Sequence, residues 1–193
     1  VFNTLCSKAT SDVIVAAGGK AIMEKTGHSF IKARVKEERA PFGGELSGHF
    51  FFMDNFYGHD DGAFSTLRLL QYLHRTKTSL KEALLDIPKY ISSPEIKLGL
   101  ADEVKFNLVN NEIADDIRKL FPDAQYTAID GFRADTQDKM VIIRASQNGP
   151  YITIKFEGKT QEQYDQLKQS IKKILEKYDQ IIWSEGVNTH AFD

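Results

Sequence analysis

The 193 residues predict an α/β segment followed by a helix-backed antiparallel sheet of the α+β class, and three observations carry that prediction. Over residues 1–88, short apolar runs alternate with amphipathic stretches, the pattern of strands packed under helices. Residues 126–156 hold three strand-like runs separated by turn residues, with an amphipathic helix on either side. Between the halves, Ile87-Pro88-Lys89-Tyr90-Ile91-Ser92-Ser93-Pro94 has the composition of a connector. The expected domains are therefore 1–88 and 89–193.

Taken in order, Val1–Asn3 reads as the end of a strand and Ser11–Ala17 as a helix tail closed by Gly18-Gly19. Ala21–Met23 is a short strand candidate. Ser29 is placed to cap a helix through Arg39, with Phe30, Ile31 and Val35 apolar and Pro41 as its stop. A polar loop then leads into a strand over Phe50–Met53. Asp60-Asp61-Gly62 opens the next helix, where Phe64, Leu67, Leu70 and Leu73 recur on one side and Arg68 and Gln71 turn away. Acids suit a helix N-terminus, and with no neighbouring third ligand the pair is not a metal site. Leu80–Leu85 adds one or two helical turns.

In the second half Ile96–Leu100 reads as a strand. Glu103–Phe121 reads as a helix with Phe106, Val109, Ile113, Ile117 and Leu120 as its apolar stripe, ended by Pro122. Strands follow at Tyr126–Ile129, Met140–Ala145 and Tyr151–Phe156. In the last of these, Ile152, Ile154 and Phe156 alternate with Tyr151, Thr153 and Lys155, so one buried face is expected. Thr160-Gln161-Glu162-Gln163 fits a capping box, starting a helix with Tyr164, Leu167, Ile171, Ile174, Leu175 and Tyr178 on one face. The tail from Ser184 has no periodic pattern and is expected to be irregular.

Bulk properties exclude several classes. With 41% hydrophobic and 27% charged residues, the chain is globular rather than disordered. Residues 1–88 carry 11 Lys and Arg against 10 Asp and Glu, and the remainder 14 against 17. Neither half is basic, so nucleic acid is not an expected partner. No run approaches the roughly 20 apolar residues of a membrane helix. Cys6 is the only cysteine, which rules out an internal disulfide and a cysteine-based zinc site and fits a reducing, cytoplasmic setting. The opening Val-Phe-Asn lacks an initiator Met and reads as mid-strand, so a piece of a longer protein is expected.

Two loops carry candidate chemistry. Glu45, Ser47 and His49 alternate within Gly43-Gly44-Glu45-Leu46-Ser47-Gly48-His49, and in an extended backbone they would form one polar row. A carboxylate and a hydroxyl on one rim suit vicinal sugar hydroxyls; a turn feeding a buried strand, with His49 a satisfied structural histidine, is the alternative. Arg144-Ala145-Ser146-Gln147-Asn148-Gly149-Pro150 collects a guanidinium, a hydroxyl, amides and a glycine, all donors toward an anion. A polar hairpin loop is the alternative.

Four segments, in this order, resemble the α-D-phosphohexomutase family in its phosphomannomutase/phosphoglucomutase form: Thr26-Gly27-His28-Ser29, Gly44-Glu45-Leu46-Ser47-Gly48-His49, Asp60-Asp61-Gly62 and Arg144-Ala145-Ser146. The resemblance runs from Val1 to about Tyr178. It implies most of the family's third domain followed by its fourth, the latter of a fold similar to the TATA-box-binding protein. It also implies an isomerase that interconverts hexose 1-phosphate and hexose 6-phosphate by phosphoryl transfer. That route uses a phosphoserine enzyme, Mg2+ and a bisphosphorylated sugar such as glucose 1,6-bisphosphate. On the family pattern Glu45, Ser47 and His28 hold the sugar, and His49 is a candidate general acid/base. Arg144, Ser146, Asn148 and the backbone of Gly149 hold the phosphate that is not reacting.

Two family loops, one carrying the serine (Thr-Ala-Ser-His-Asn-Pro-like) and one the metal (Asp-Gly-Asp-Gly-Asp-like), do not occur in these residues. The metal ligands are thus expected in N-terminal domains outside this chain, and the chain alone is expected to be inactive. Leu5-Cys6-Ser7 stands where relatives often read Lys-Cys-Thr/Ser, so a substrate-binding cation is missing. Two alternatives stay open: phosphoglucosamine mutase, against which Leu46 argues, and a sugar-phosphate-binding module without catalysis.

Overall fold

The structure is a computed structural model that describes residues 1–193. The chain divides into two compact units, Val1–Lys89 and Tyr90–Asp193.

In the first unit, β1 (Phe2–Asn3) leads to α1 (Lys8–Ala16), β2 (Met23–Glu24), α2 (His28–Glu37), β3 (Phe42–Gly44), β4 (Phe50–Phe52), α3 (Gly62–Thr76) and α4 (Leu80–Ala83). The sheet order is β2-β1-β3-β4, with β1 parallel to both neighbours and β3 antiparallel to β4. Ser7 caps α1, accepting from the Ala9 N–H at 3.1 Å. Ile31 and Val35 on one side of α2 close a small core with Val1 and Phe51. Gly43 permits that closure: a Cβ there would sit 2.3 Å from Val35 Cγ2. The glycine is thus explained by helix packing, not by approach of a ligand.

Several expectations for this unit are corrected. Ser29 does not cap α2; Gly27 is its N-cap, and the helix already ends at Glu37, before Pro41 can stop it. The residues before the polar loop form β3, so the loop is a hairpin connection between paired strands. On α3, Asp61 caps through the Phe64 N–H at 2.8 Å, but the leucines do not form a buried stripe. Leu67 and Leu70 are 64% and 55% exposed, while Arg68 turns inward to lie over the Phe52 ring and bond Asp54. Phe64, stacked on Phe56 at 4.0 Å and edge-on to Phe52 at 5.6 Å, makes the aromatic contacts of this helix.

The second unit runs β5 (Ile91–Ser92), β6 (Ile96–Gly99), α5 (Asp102–Asn107), a π-helical turn (Leu108–Ile113), α6 (Ala114–Leu120), β7 (Gln125–Thr127), β8 (Phe132–Asp135), β9 (Lys139–Ala145), β10 (Tyr151–Gly158), α7 (Gln161–Leu175) and β11 (Ile182–Val187). Its antiparallel sheet has the order β11-β6-β10-β9-β8-β7, with β5 also pairing β10. Ile96, Leu98, Ile143, Ile152, Ile154 and Phe156 face a core shared with the helices, among them Val109, Ile113, Ile117, Leu167, Ile171 and Leu175. The capping box at the start of α7 forms, with Thr160 and Gln163 bonding each other's N–H groups.

Here too the sequence reading needs correction. The wider π-turn breaks the 3.6-residue spacing of the α5–α6 helix, so Phe106 leaves the apolar stripe and is exposed, while Lys105 is buried. A fourth strand, β8, follows β7 where one strand and a turn were expected. Both faces of β10 are buried, including Thr153, Lys155 and Glu157. Burial of Lys155 is tolerated because its ammonium bonds both Glu157 Oε1 and Ser92 Oγ at 2.6 Å. Lastly, the tail expected to be irregular supplies β11, which pairs β6 across a bulge.

Candidate functional site

The first-unit candidates gather on the β3–β4 hairpin. The loop is closed by Glu45 N–H donating to the His49 carbonyl at 2.9 Å and Gly48 N–H donating to the Glu45 carbonyl at 3.0 Å. Gly48 supplies the left-handed conformation this tight connection needs (φ 88°). Glu45, Ser47 and His49 are therefore not a row along an extended strand; the turn sets Glu45 and His49 opposite one another, with Ser47 at the exposed tip. Glu45 is buried, and its Oε2 accepts from Asn3 Nδ2 at 3.5 Å and from the Gly27 N–H at 3.3 Å. Its Oε1 is buried without a hydrogen-bond partner. Asn3 in turn accepts the Leu46 N–H at 3.3 Å, pinning the hairpin to β1.

The Gly27–Glu45 bond draws the Thr26–Ser29 segment alongside the hairpin. His28 and His49 are brought within 5.8 Å, ring centre to ring centre. His49 Nδ1 meets Asp60 Oδ2 at 2.5 Å, and Asp60 Oδ1 accepts the Phe50 N–H at 3.1 Å. The hydrogen bond with His49 holds the Asp60 carboxyl below the usual aspartate range, against the smaller opposing effect of burial. With Nδ1 engaged, Nε2 is the ring nitrogen open to a proton on a ligand. Asp60 was read from sequence as a helix-start acid and as part of the Asp60-Asp61-Gly62 family segment, with no role at the site. One signal was available: a single N-cap needs one side chain, and Asp61 fills that place, which frees its neighbour.

Leu5 is buried, so no cation stands at its position, and Lys8 pairs with Asp12 at 2.9 Å. The first-unit groove of about 880 Å3 between β4 and α3 is lined by Phe42, Phe50, Phe52, Leu69 and Tyr72. Ser65, Thr66, Arg68, Gln71, Arg75 and Thr76 line it as well, but none of Glu45, Ser47, His28 and His49 does, so the hairpin rim is the better candidate.

In the second unit the candidate loop joins β9 to β10. Arg144 Nε donates to Asp130 Oδ2 at 3.0 Å, and both residues are buried. Its terminal nitrogens make no hydrogen bond to the protein, which leaves the two-pronged end of the guanidinium available. Gly131 makes the Asp130 contact feasible by running hard against β9; a Cβ there would lie 2.3 Å from the Ile143 carbonyl oxygen. Ser146 is buried, and its Oγ accepts the Asn148 N–H at 3.0 Å. The serine hydroxyl proton is thereby left to donate elsewhere. Asn148 is exposed, and Gly149 accepts through its carbonyl from the Tyr151 N–H at 2.9 Å and from Lys105 Nζ at 2.8 Å. Sequence reasoning missed both Asp130 and Lys105. Asp130 stood beside a turn glycine, and Lys105 looked like any helical lysine.

No group of three or more His, Cys, Asp or Glu side chains could hold a metal ion, and no helix is long and apolar enough to cross a membrane.

Residues 1–90 match the family model for phosphoglucomutase/phosphomannomutase alpha/beta/alpha domain III, and residues 103–174 match the model for the C-terminal domain of the same family. Among curated relatives, a phosphomannomutase/phosphoglucomutase of Pseudomonas putida is 35% identical over 170 residues, covering 87% of this chain and 36% of its own. A phosphoglucomutase of Neisseria meningitidis serogroup B is 36% identical over 184 residues, covering 95% of this chain and 39% of its own. A phosphoglucomutase/phosphomannomutase family protein of Burkholderia thailandensis, solved by crystallography, superposes with a TM-score of 0.76 at 30% identity over 91% of this chain and 36% of that one. The chain thus spans little more than a third of the length of these relatives. Its two units are domain III and the C-terminal domain of a phosphohexomutase, and the chain belongs to the phosphoglucomutase/phosphomannomutase family of isomerases.

Proposed function

We propose that this chain is the substrate-recognition half of a phosphomannomutase/phosphoglucomutase that interconverts hexose 1-phosphate and hexose 6-phosphate. The observation that carries the reading is the bonded rim of the first unit, where Gly27 donates to Glu45 and His28 lies 5.8 Å from His49. Glu45 and Ser47 bind sugar hydroxyls. The unpartnered Oε1 of Glu45 supports this, because a buried carboxylate oxygen without a donor is unfavourable and a hydroxyl would relieve it. His28 borders the same sugar. His49 moves the proton of the reacting hydroxyl through Nε2 while Asp60 orients the ring.

Arg144 and Ser146 hold the phosphate that is not reacting, with Asn148 and the Gly149 N–H as further donors. The free terminal nitrogens of Arg144 and the free hydroxyl proton of Ser146 favour that role. A phosphoserine, a Mg2+ site and a bisphosphorylated sugar intermediate belong to this reading through the missing N-terminal domains. These residues offer no metal-binding cluster, so no step here is assigned to a metal. A cytoplasmic location accompanies the reading.

The test is a coupled assay on the full-length parent protein with Mg2+ and glucose 1,6-bisphosphate. Conversion of both glucose 1-phosphate and mannose 1-phosphate is expected. Turnover of glucosamine 1-phosphate alone would favour the amino-sugar mutase, and no turnover with intact hexose phosphate binding would favour the non-catalytic module.

A further inference from the structure

We propose that Lys105 is a positioning residue for phosphate binding, acting on the β9–β10 loop from behind. The proposal rests on the phosphate reading of that loop. Lys105 lies in the first turns of α5, yet only 4% of its side chain is exposed. Its ammonium reaches across 44 residues of sequence to donate to the Gly149 carbonyl at 2.8 Å, and it donates to Asp102 Oδ1 at 2.5 Å. The same carbonyl accepts the Tyr151 N–H at 2.9 Å. Two donors therefore hold one loop carbonyl against the body of the unit.

That matters because carbonyl oxygens and phosphate oxygens repel. An anion-binding loop needs its N–H groups outward and its C=O groups turned away. Here the Ser146 N–H is spent on the Tyr151 carbonyl and the Asn148 N–H on Ser146 Oγ. The N–H groups of Gln147 and Gly149 make no hydrogen bond to the protein. The Gly149 carbonyl belongs to the Gly149–Pro150 peptide, and holding it anchors the end of the loop that carries these two free N–H groups. A buried ammonium is a costly way to fill a helix face, since burial of a charge must be offset by its partners. An apolar side chain of similar length would pack there without that cost. The charge is accounted for if the end of the loop must be held in one place while its N–H groups meet an anion.

Titration calorimetry on the 193-residue chain, with glucose 6-phosphate and inorganic phosphate as probes, tests this. Arg144→Ala should abolish detectable binding. Lys105→Met and Lys105→Gln, checked for fold by circular dichroism, should each bind about tenfold more weakly, the scale of one lost hydrogen bond to a charged group. Lys105→Arg, which keeps charge and donors, should return most of the affinity. A folded Lys105→Met or Lys105→Gln chain that binds within about twofold of wild type overturns the proposal and leaves the phosphate reading standing. A wild-type chain that binds neither probe, or an Arg144→Ala chain that binds like wild type, overturns the phosphate reading and this proposal with it. One readout needs no variant. On adding glucose 6-phosphate, the Gln147 and Gly149 amide resonances should shift while the Gly149 carbonyl carbon stays in place. A carbonyl resonance that moves as far as the amides shows that the peptide is not held, and the proposal fails.

Discussion

His49 and Asp60 meet at 2.5 Å through Nδ1 and Oδ2, and the other Asp60 oxygen is tied to the backbone next to His49, at the Phe50 N–H. A histidine on a hairpin is thereby held in one ring orientation. If His49 moves a proton in the parent enzyme, Asp60→Asn should lower kcat by roughly 10- to 100-fold, within the usual range for acid–base assistance, and leave KM nearly unchanged. His49→Ala should do at least as much. Steady-state kinetics on the full-length parent decide it; a KM effect with normal kcat would make the pair a sugar contact instead. Because the bond from His49 keeps Asp60 below the ordinary aspartate value, its contribution to stability is present above that value. It is lost as pH falls through the lowered one.

Glu45→Gln should weaken binding of glucose and mannose phosphates alike, by about 1–3 kcal/mol. The amide keeps the shape but loses charge assistance at the unpartnered oxygen. Analogues lacking the 3- or 4-hydroxyl should be rejected much more strongly than either hexose, because the site's own polar groups would be left unpaired. Calorimetry with the deoxy sugars checks this. Wild-type turnover of the deoxy analogues, together with normal binding by Glu45→Gln, would return Glu45 and Ser47 to a purely structural role.

Arg144→Ala in the parent should cost about 2–4 kcal/mol of substrate binding. Arg144→Lys should recover only part of that, since a single ammonium cannot replace the two terminal nitrogens left open by the Asp130 contact. Equal affinity of the Lys variant and the parent enzyme would show that one point charge is enough.

A pH effect on stability is expected away from both loops. Asp116 on α6 bonds Lys177 beyond the end of α7 and Lys119 on its own helix, at 2.8 and 3.0 Å. Chiefly through Lys177, these bonds hold its carboxyl down to about 2. A depressed carboxyl stabilises fully above its unfolded value, so this contribution should fade between about pH 4 and pH 2. Both lysines are more than half exposed, so solvent screening limits the effect to about 1 kcal/mol or less. Thermal melts of wild type and Asp116→Asn should differ slightly at pH 7 and converge near pH 2. At the other end, burial first and then Asp116 push Tyr178 up to about 12, so stability should also fall as pH rises from about 10 toward 12.

Residues 1–193 alone should show no mutase turnover, because neither a serine loop nor a metal-binding cluster is present. Metal-dependent conversion of glucose 1-phosphate by the purified chain would contradict this.

Some local signals in the sequence were read well, though not the Ser29 cap. The Thr160 capping box and the Asp61 start mark helix ends because a cap is a bond between residues three apart. Features that depend on distant partners were not legible. The tail strand β11 has no alternation of its own and exists by pairing with β6. Phe106 was misplaced because nothing in the helix composition announces the π-turn. For the site, the motif spacings named Glu45, His49, Arg144 and Ser146, but the imagined extended row was a hairpin turn. Asp130 and Lys105 escaped, and Asp60 was named without a role, because each acts on another candidate group, through contacts that span 14, 44 and 11 residues respectively.

The strand order of the second unit also bears on how the chain is made. β6, the first long strand of its sheet, lies between β10 and β11, and β11 is completed only at Val187. During synthesis β6 therefore has no partner on either side until β10 emerges, and keeps one bare edge until the last strand arrives. Unpaired strand edges invite wrong pairing, and contacts this distant in sequence form slowly. A nascent chain that has not yet made β10 leaves both edges of β6 open to wrong pairing, and one stalled between β10 and β11 still leaves one.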